Sequence, residues 1–200
     1  MNNNNSSKQI LLSVLGVAIL VVAVVGISFA AFSYSKTGEV SNTITTGTIT
    51  MSYTEPTNGI NLTDALPISD TAGKALTGTN NVFDFTVATT VKGTATISYA
   101  ITAVKDSASN VADAGVKVYL TDQKDAQILA PTKVSALTKT ASNEASGAPT
   151  GQYILKTGTI TASTTTAYRL RMWVADDYAA PSTSQKYILK VNVYGKANAQ

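Results

Sequence analysis

From Lys36 onward the chain runs in short stretches where large apolar residues alternate with threonine, serine or aspartate, and a period of two is the signature of half-buried strands. In Val82 to Val91, Phe83, Phe85 and Val87 alternate with Asp84, Thr86 and Ala88, so three large apolar groups share one face. The next stretch sets Ala95, Ile97, Tyr99 and Ile101 against Thr96, Ser98 and Thr102, and Lys92-Gly93 between the two predicts a tight hairpin. Further rows are Val116, Val118 and Leu120; Tyr168, Leu170, Met172 and Val174; and Tyr187, Leu189, Val191 and Val193. Thr43 to Tyr53 and Tyr153 to Ala162 add two threonine-rich strands, for seven to nine in all. Antiparallel sheets with one wet face produce this alternation. The expected fold class is therefore all-β, an antiparallel two-sheet sandwich of jelly-roll or immunoglobulin-like topology, with almost no helix beyond the leader. Residues 122–151 are rich in Ala, Ser, Thr, Lys and Pro with weak periodicity, which predicts a long irregular excursion over the surface.

Residues 1–35 are of a different kind. From Ile10 to Ser35 there is no charge, and about 20 such residues suffice to cross a bilayer's hydrocarbon core as a helix. Lys8 and the α-amino group precede the apolar run and favour an N-terminus inside, which puts the β domain outside. Ser28 and Ala30 are small residues placed as a signal peptidase requires for cleavage between Ala30 and Ala31. The expected organisation is an N-terminal tail with a signal peptide or signal anchor over 1–35 and an extracellular β-sandwich over 36–200. Its expected location is extracellular or at the cell surface, membrane-inserted through the N-terminal segment if uncleaved.

The inventory of chemical groups excludes most catalysis. There is no histidine, which removes the commonest general base and the Ser-His and Cys-His nucleophile pairs, and no cysteine, which removes disulfides and thiolate metal sites. Asp176-Asp177 ends a strand, where adjacent aspartates solvate a turn, and neither Asp106, Asn110 and Asp113 nor Asp122 and Asp125 match a calcium loop's spacing. No glycine-rich phosphate loop is present. The expectation is no catalytic residue, no metal and no cofactor. The net charge of +3 comes from scattered lysines without an aromatic-basic cluster, so nucleic acid is not an expected partner. Arg169, Arg171 and Trp173 share the outer face of their strand if the Tyr168 row points inward, which makes them candidates for a surface contact. The competing reading has Trp173 cover the sandwich's second face or pack under the long 122–151 loop.

Ala30-Ala31-Phe32 at the end of the apolar run, Thr46-Gly47-Thr48-Ile49-Thr50-Met51-Ser52, Asn61-Leu62-Thr63 and Phe83-Asp84-Phe85-Thr86-Val87 follow one another at a characteristic spacing. Over about Leu11 to Val104 the sequence thereby resembles the TasA and camelysin family, secreted proteins of Gram-positive bacteria processed by a SipW-type signal peptidase. It departs from the family's proline-glycine before the Phe83 strand, having Thr77-Gly78-Thr79. The resemblance implies a jelly-roll subunit of extracellular matrix fibres, each copy's freed N-terminal segment completing its neighbour's sheet. The donor here would run from Ala31 to about Gly47, with Ala31, Phe32, Val40 and Ile44 as its apolar contacts. A metalloprotease activity described for family members does not carry over to a chain without histidine ligands.

Two functions are therefore expected. The first is a secreted, non-enzymatic subunit of a fibre or biofilm matrix that polymerises with itself. The second is a single-pass, membrane-anchored binding or adhesion module with an extracellular β-sandwich.

Overall fold

The computed structural model describes Val14, Leu15, Val17, residues 33–37, 42–46, 49–54, 60–78, 81–179 and 184–198. Its elements in chain order are β1 (Ser33–Thr37), β2 (Asn42–Thr46), β3 (Ile49–Thr54), β4 (Ile60–Thr63), β5 (Pro67–Ile68), α1 (Asp70–Lys74), β6 (Val82–Val91) and β7 (Thr96–Lys105). There follow β8 (Val116–Asp122), β9 (Gln127–Lys133), β10 (Tyr153–Ile160), β11 (Thr164–Ala175) and β12 (Lys186–Asn198). Single 3₁₀ turns precede β8 and follow β9. The apolar run Ile10–Ser35 lies outside the described residues apart from Val14, Leu15 and Val17, which are helical, and the start of β1. Among the described residues no helix is long and apolar enough to cross a membrane.

The strands form two sheets. A five-stranded sheet has the order β1-β12-β7-β10, with β4 also paired to β12, and a seven-stranded sheet has the order β2-β3-β6-β11-β8-β9, with β5 added to β11. Every pairing is antiparallel except the short β5–β11 contact. The expected apolar rows all point inward. Phe83, Phe85, Val87, Val116, Val118, Leu120, Tyr168, Leu170 and Met172 from one sheet meet Ile97, Tyr99, Ile101, Tyr187, Leu189, Val191 and Val193 from the other in a single buried cluster. Fully burying one such side chain stabilises the fold by about 1.5–3 kcal/mol. Phe85 and Tyr168 are directly paired across β6 and β11, and their rings stack at 5.2 Å.

Three expectations need correction. Lys92-Gly93 does not close a hairpin, because β6 and β7 belong to different sheets. Gly93 has φ +73°, so the chain does turn there, but it crosses the core and the Phe83 row faces the Ile97 row instead of lying beside it. A gap of about 10 Å between packed sheets is within reach of four residues. Thr43 to Tyr53 is two strands, β2 and β3, paired antiparallel from Asn42↔Tyr53 to Thr46↔Ile49.

Residues 122–151, expected to be irregular, contain β9 and a segment folded back on the five-stranded sheet. Thr140 N–H donates to the Gln152 carbonyl at 2.8 Å and Gly151 N–H to the Thr140 carbonyl at 2.9 Å. Ala148 packs on Ala100 and Tyr194, while the Gln152 carboxamide accepts from Thr102 and Asn192 and donates to the Tyr194 hydroxyl. The outer face of β7 and β12 is thus dry as well, and both strands are buried on two sides along their middles.

Trp173 closes the outer face of the seven-stranded sheet at one end. Its ring lies under Gly73 of α1, a helix of one turn whose Ser69 N-cap hydroxyl accepts from the Ala72 N–H. A Cβ at residue 73 would overlap the Trp173 ring. Gly73→Ala is expected to destabilise the protein by about 1–3 kcal/mol through overpacking, although alanine is the better helix former. Urea unfolding of the two forms checks this; an equal or higher midpoint for the alanine variant would mean that α1 lifts freely from the indole.

Candidate functional site

Arg169, Arg171 and Trp173 do lie on one outward row of β11, but they do not form a contact surface. Trp173 is 1% exposed and Arg171 is 3% exposed. Arg171 donates from Nε to the Leu76 carbonyl at 2.9 Å, from Nη1 to Thr121 Oγ1 at 3.3 Å and from Nη2 to Asp125 Oδ1 at 2.7 Å. Its guanidinium also sits 5.8 Å from the centre of the Tyr119 ring. It ties the chain after α1 and the β8–β9 turn to β11. Arg169, partly exposed, makes a two-bond fork with Asp84, its direct partner on β6, at 2.8 Å for each bond. The surface-contact expectation fails for Arg171 and Trp173 because the loop carrying α1 covers them, and that covering loop supplies the carbonyl that satisfies Arg171.

The carboxylates are likewise committed to the fold. Asp106 pairs with Lys190, Asp125 with Arg171 and Asp177 with Lys133, each at 2.7 Å, and Asp176 shares Lys117 with Asp70. Asp122 Oδ1 accepts from the N–H groups of Lys124 and Ala126 and shapes the β8–β9 turn. Among the described residues no three His, Cys, Asp or Glu side chains gather as a metal site would require.

Among the ion-paired carboxylates Asp113, in the 3₁₀ turn before β8, is less exposed than all but Asp106. It accepts from the Tyr153 hydroxyl, from the Tyr187 hydroxyl at 2.9 Å and from Lys105 Nζ at 3.1 Å. Burial alone would raise its pKa, but the hydrogen bonds from Tyr153, Lys105 and Tyr187 outweigh burial and hold it below the usual value. Burial, then the bond to Asp113, pushes Tyr153 up to about 12. The cluster joins β7, β10, β12 and the 3₁₀ turn at one end of the five-stranded sheet. It escaped sequence reasoning because Tyr153 and Tyr187 lie 40 and 74 residues from the carboxylate they share.

β1 and β2 are end strands of the two sheets; β1 begins at the end of the apolar run and β2 follows it. β1 pairs with β12 from Ser33↔Lys196 to Thr37↔Asn192, while β4 takes the other half of the same β12 edge from Ile60↔Leu189 to Thr63↔Lys186. Of the donor candidates, Ile44 is in β2, opposite Met51. Ala31, Phe32 and Val40 lie outside the described residues, as does the cleavage candidate Ala30-Ala31. Comparison with models of known protein families and with curated protein sequences found no match.

Three outcomes follow. Arg171→Met is expected to cost about 2–3 kcal/mol, since it strands the Leu76 carbonyl, whereas Arg169→Met at a partly exposed pair costs about 1 kcal/mol or less. Urea titration of both variants measures the difference. A carboxylate with a depressed pKa stabilises above its unfolded value of about 3.9 and loses that contribution as pH falls through its folded value, so Asp113→Asn is expected to flatten the loss of stability below about pH 4. Tyr153 has the opposite sense. Its contribution is complete below about pH 10 and fades as pH rises towards about 12, so Tyr153→Phe is expected to flatten the alkaline limb. Urea midpoints measured across pH test both signs.

Proposed function

We propose that this chain is an exported, non-enzymatic structural subunit that assembles with copies of itself by exchanging its N-terminal strands. On this reading the two sheets are a β-sandwich of jelly-roll or immunoglobulin type, the apolar leader takes the chain through a membrane, and the mature protein starts at Ala31 outside the cell. The TasA and camelysin resemblance is part of the same proposal, and so are an extracellular or cell-surface location and a homopolymeric partner.

The observation that supports it is the position of β1 and β2. An edge strand of five residues is held on one side only, so it leaves its sheet at lower cost than any central strand. When β1 leaves, it uncovers the β12 backbone from Asn192 to Lys196, and the same segment of another copy matches that gap in register and sequence. Exchange then replaces each in-chain pairing with an identical pairing between chains. The described side chains, committed to packing and ion pairs, support the non-enzymatic part of the reading.

The absence of native cysteine makes the test clean. Ser33 and Lys196 are paired residues, so a Ser33→Cys, Lys196→Cys chain is expressed in a Gram-positive host, recovered from medium and oxidised. The expected result is a mature N-terminus at Ala31, filaments by electron microscopy and a ladder of disulfide-linked oligomers in denaturing gels. Filaments containing only in-chain disulfides would sink strand exchange. A full-length chain found only in membranes, with monomers under every assembly condition, would sink the subunit reading and favour the anchored module.

A further inference from the structure

The two ends of the strands differ in charge. At one end β6 passes to β7 through Lys92 to Ala95, and β10 passes to β11 through Thr161 to Ser163. The Ser163 hydroxyl accepts from the Val91 N–H at 2.9 Å, which ties the two connections together. β12 finishes at the same end, where Lys196 pairs with Ser98 and Asn198 with Thr96. Among the described residues this end carries Lys92 and Lys196, both exposed and neither in an ion pair, and no Asp or Glu. The carboxylates that come closest along the strands are Asp122 and Asp84, opposite Tyr168 and Arg169 on β11. From Tyr168 to Thr164 the strand spans about 14 Å, longer than the roughly 8 Å over which salt lets exposed charges act. Asp70, Asp106, Asp113, Asp176 and Asp177 gather at the opposite end, each held by a lysine.

The N-terminal segment enters at the lysine end, because Ser33, the first residue of β1, pairs with Lys196. The apolar run reaches Ser35, so it leads straight into that strand. Val14, Leu15 and Val17 are helical and expose their side chains, as a lipid-facing segment requires. A span of about 20 residues that starts at Ile10, after Lys8, is complete near Phe29. Ala30 to Phe32 then reach at most about 11 Å, against roughly 5–8 Å for the headgroup layer beyond the hydrocarbon core.

We propose that the uncleaved chain stands on the outer face of the membrane on this end, with Lys92 and Lys196 against the phosphates of anionic phospholipids. The inference rests on the leader of the proposed function and is independent of strand exchange. Each lysine close to an anionic surface favours the docked state about fivefold, so the two together favour it about thirtyfold. That is enough to orient a domain whose linker already holds it at the surface, and too little to retain one that has lost its anchor. Cleavage between Ala30 and Ala31 therefore releases the domain as well as freeing its first strand.

The chain has no cysteine, so a single fluorophore can be placed at Thr94→Cys in the β6–β7 connection or at Ser107→Cys beyond the far end of β7, both exposed positions. The uncleaved chain is reconstituted in nanodiscs of phosphatidylcholine, alone or mixed equally with phosphatidylglycerol, that carry a nitroxide quencher on the headgroups. Intact mass and co-elution establish insertion. The expected result in anionic discs is strong quenching at residue 94 and little at residue 107. The ratio of docked to undocked chain is expected to fall about thirtyfold in neutral discs and in the double variant Lys92→Gln, Lys196→Gln, and to fall likewise at high salt. Quenching that is equal at the two positions, or stronger at 107, would overturn the proposal. So would quenching at 94 that ignores lipid charge, salt and the double substitution. A chain that does not enter the discs overturns the leader reading and this inference together, whereas one that enters and gives either of those patterns overturns this inference alone.

Discussion

The burial of two apolar faces against each other governs this structure, because neither sheet has a stable outer environment for its Phe83 or Ile97 row without the other. That requirement sends the chain back and forth across the core. No two strands of the five-stranded sheet are consecutive in sequence: β1, β4, β7, β10 and β12 are each separated by strands of the other sheet. All pairings in that sheet are therefore non-local, and their loop-closure entropy must be overcome before the contacts form. The consecutive pairs β2–β3 and β8–β9 both belong to the seven-stranded sheet. On this topology its two hairpins can form locally, whereas the five-stranded sheet has to be assembled from distant segments.

Apolar burial alone would tolerate sliding, and polar contacts remove that freedom. A slip of one residue in a strand turns its whole apolar row to the wrong face, so register is already constrained wherever a row is buried. Slips of two residues preserve the pattern and need another penalty. Asp113 supplies one by collecting hydroxyls from Tyr153 on β10 and Tyr187 on β12 with the ammonium of Lys105 on β7, since shifting any one of these strands separates the donors from the acceptor. Gln152 does the same on the opposite side of that sheet with Thr102, Asn192 and Tyr194. These groups lie close to the strands whose partners are most distant in sequence.

Alternation in the sequence reveals which residues face inward but not which sheet they belong to, and that distinction separates what was legible from what was not. The rows of β6, β7, β8, β11 and β12 could be read directly, since each has three or four large apolar groups at a spacing of two. The β6–β7 connection could not, because a glycine with positive φ serves a hairpin and a crossing between sheets equally well. The cover over β7 and β12 left a fainter signal. Ala100 and Thr102 are small, and Asn192 and Tyr194 continue a strand whose outward residues would otherwise be charged, a pattern that fits a strand dry on both sides. For Trp173 the relevant clue was Ser69-Asp70-Thr71-Ala72-Gly73, an N-cap followed by a glycine, in a helix too short for any periodicity to show.

The four sheet edges are not equivalent, and the difference bears on how copies of this chain could meet. β9 carries Pro131 and two register shifts against β8, features that disrupt pairing with another strand. β10 is interrupted by a shift between Ile154 and Lys156, and Lys156 puts a charge on the edge strand itself. The remaining edges are formed by β2 and, along β12, by β1 together with β4; one short N-terminal segment supplies β1 and β2 to the two sheets. Beneath them β12 and β3 face each other closely enough that a Cβ at Gly195 would overlap the Met51 sulfur. A single departure of that segment would thus uncover neighbouring backbone edges on both sheets, and an incoming copy of the segment would have to satisfy both to restore the fold. An incoming segment that paired with both sheets would have to be in register on each, because a register error on either sheet spoils the fit on both.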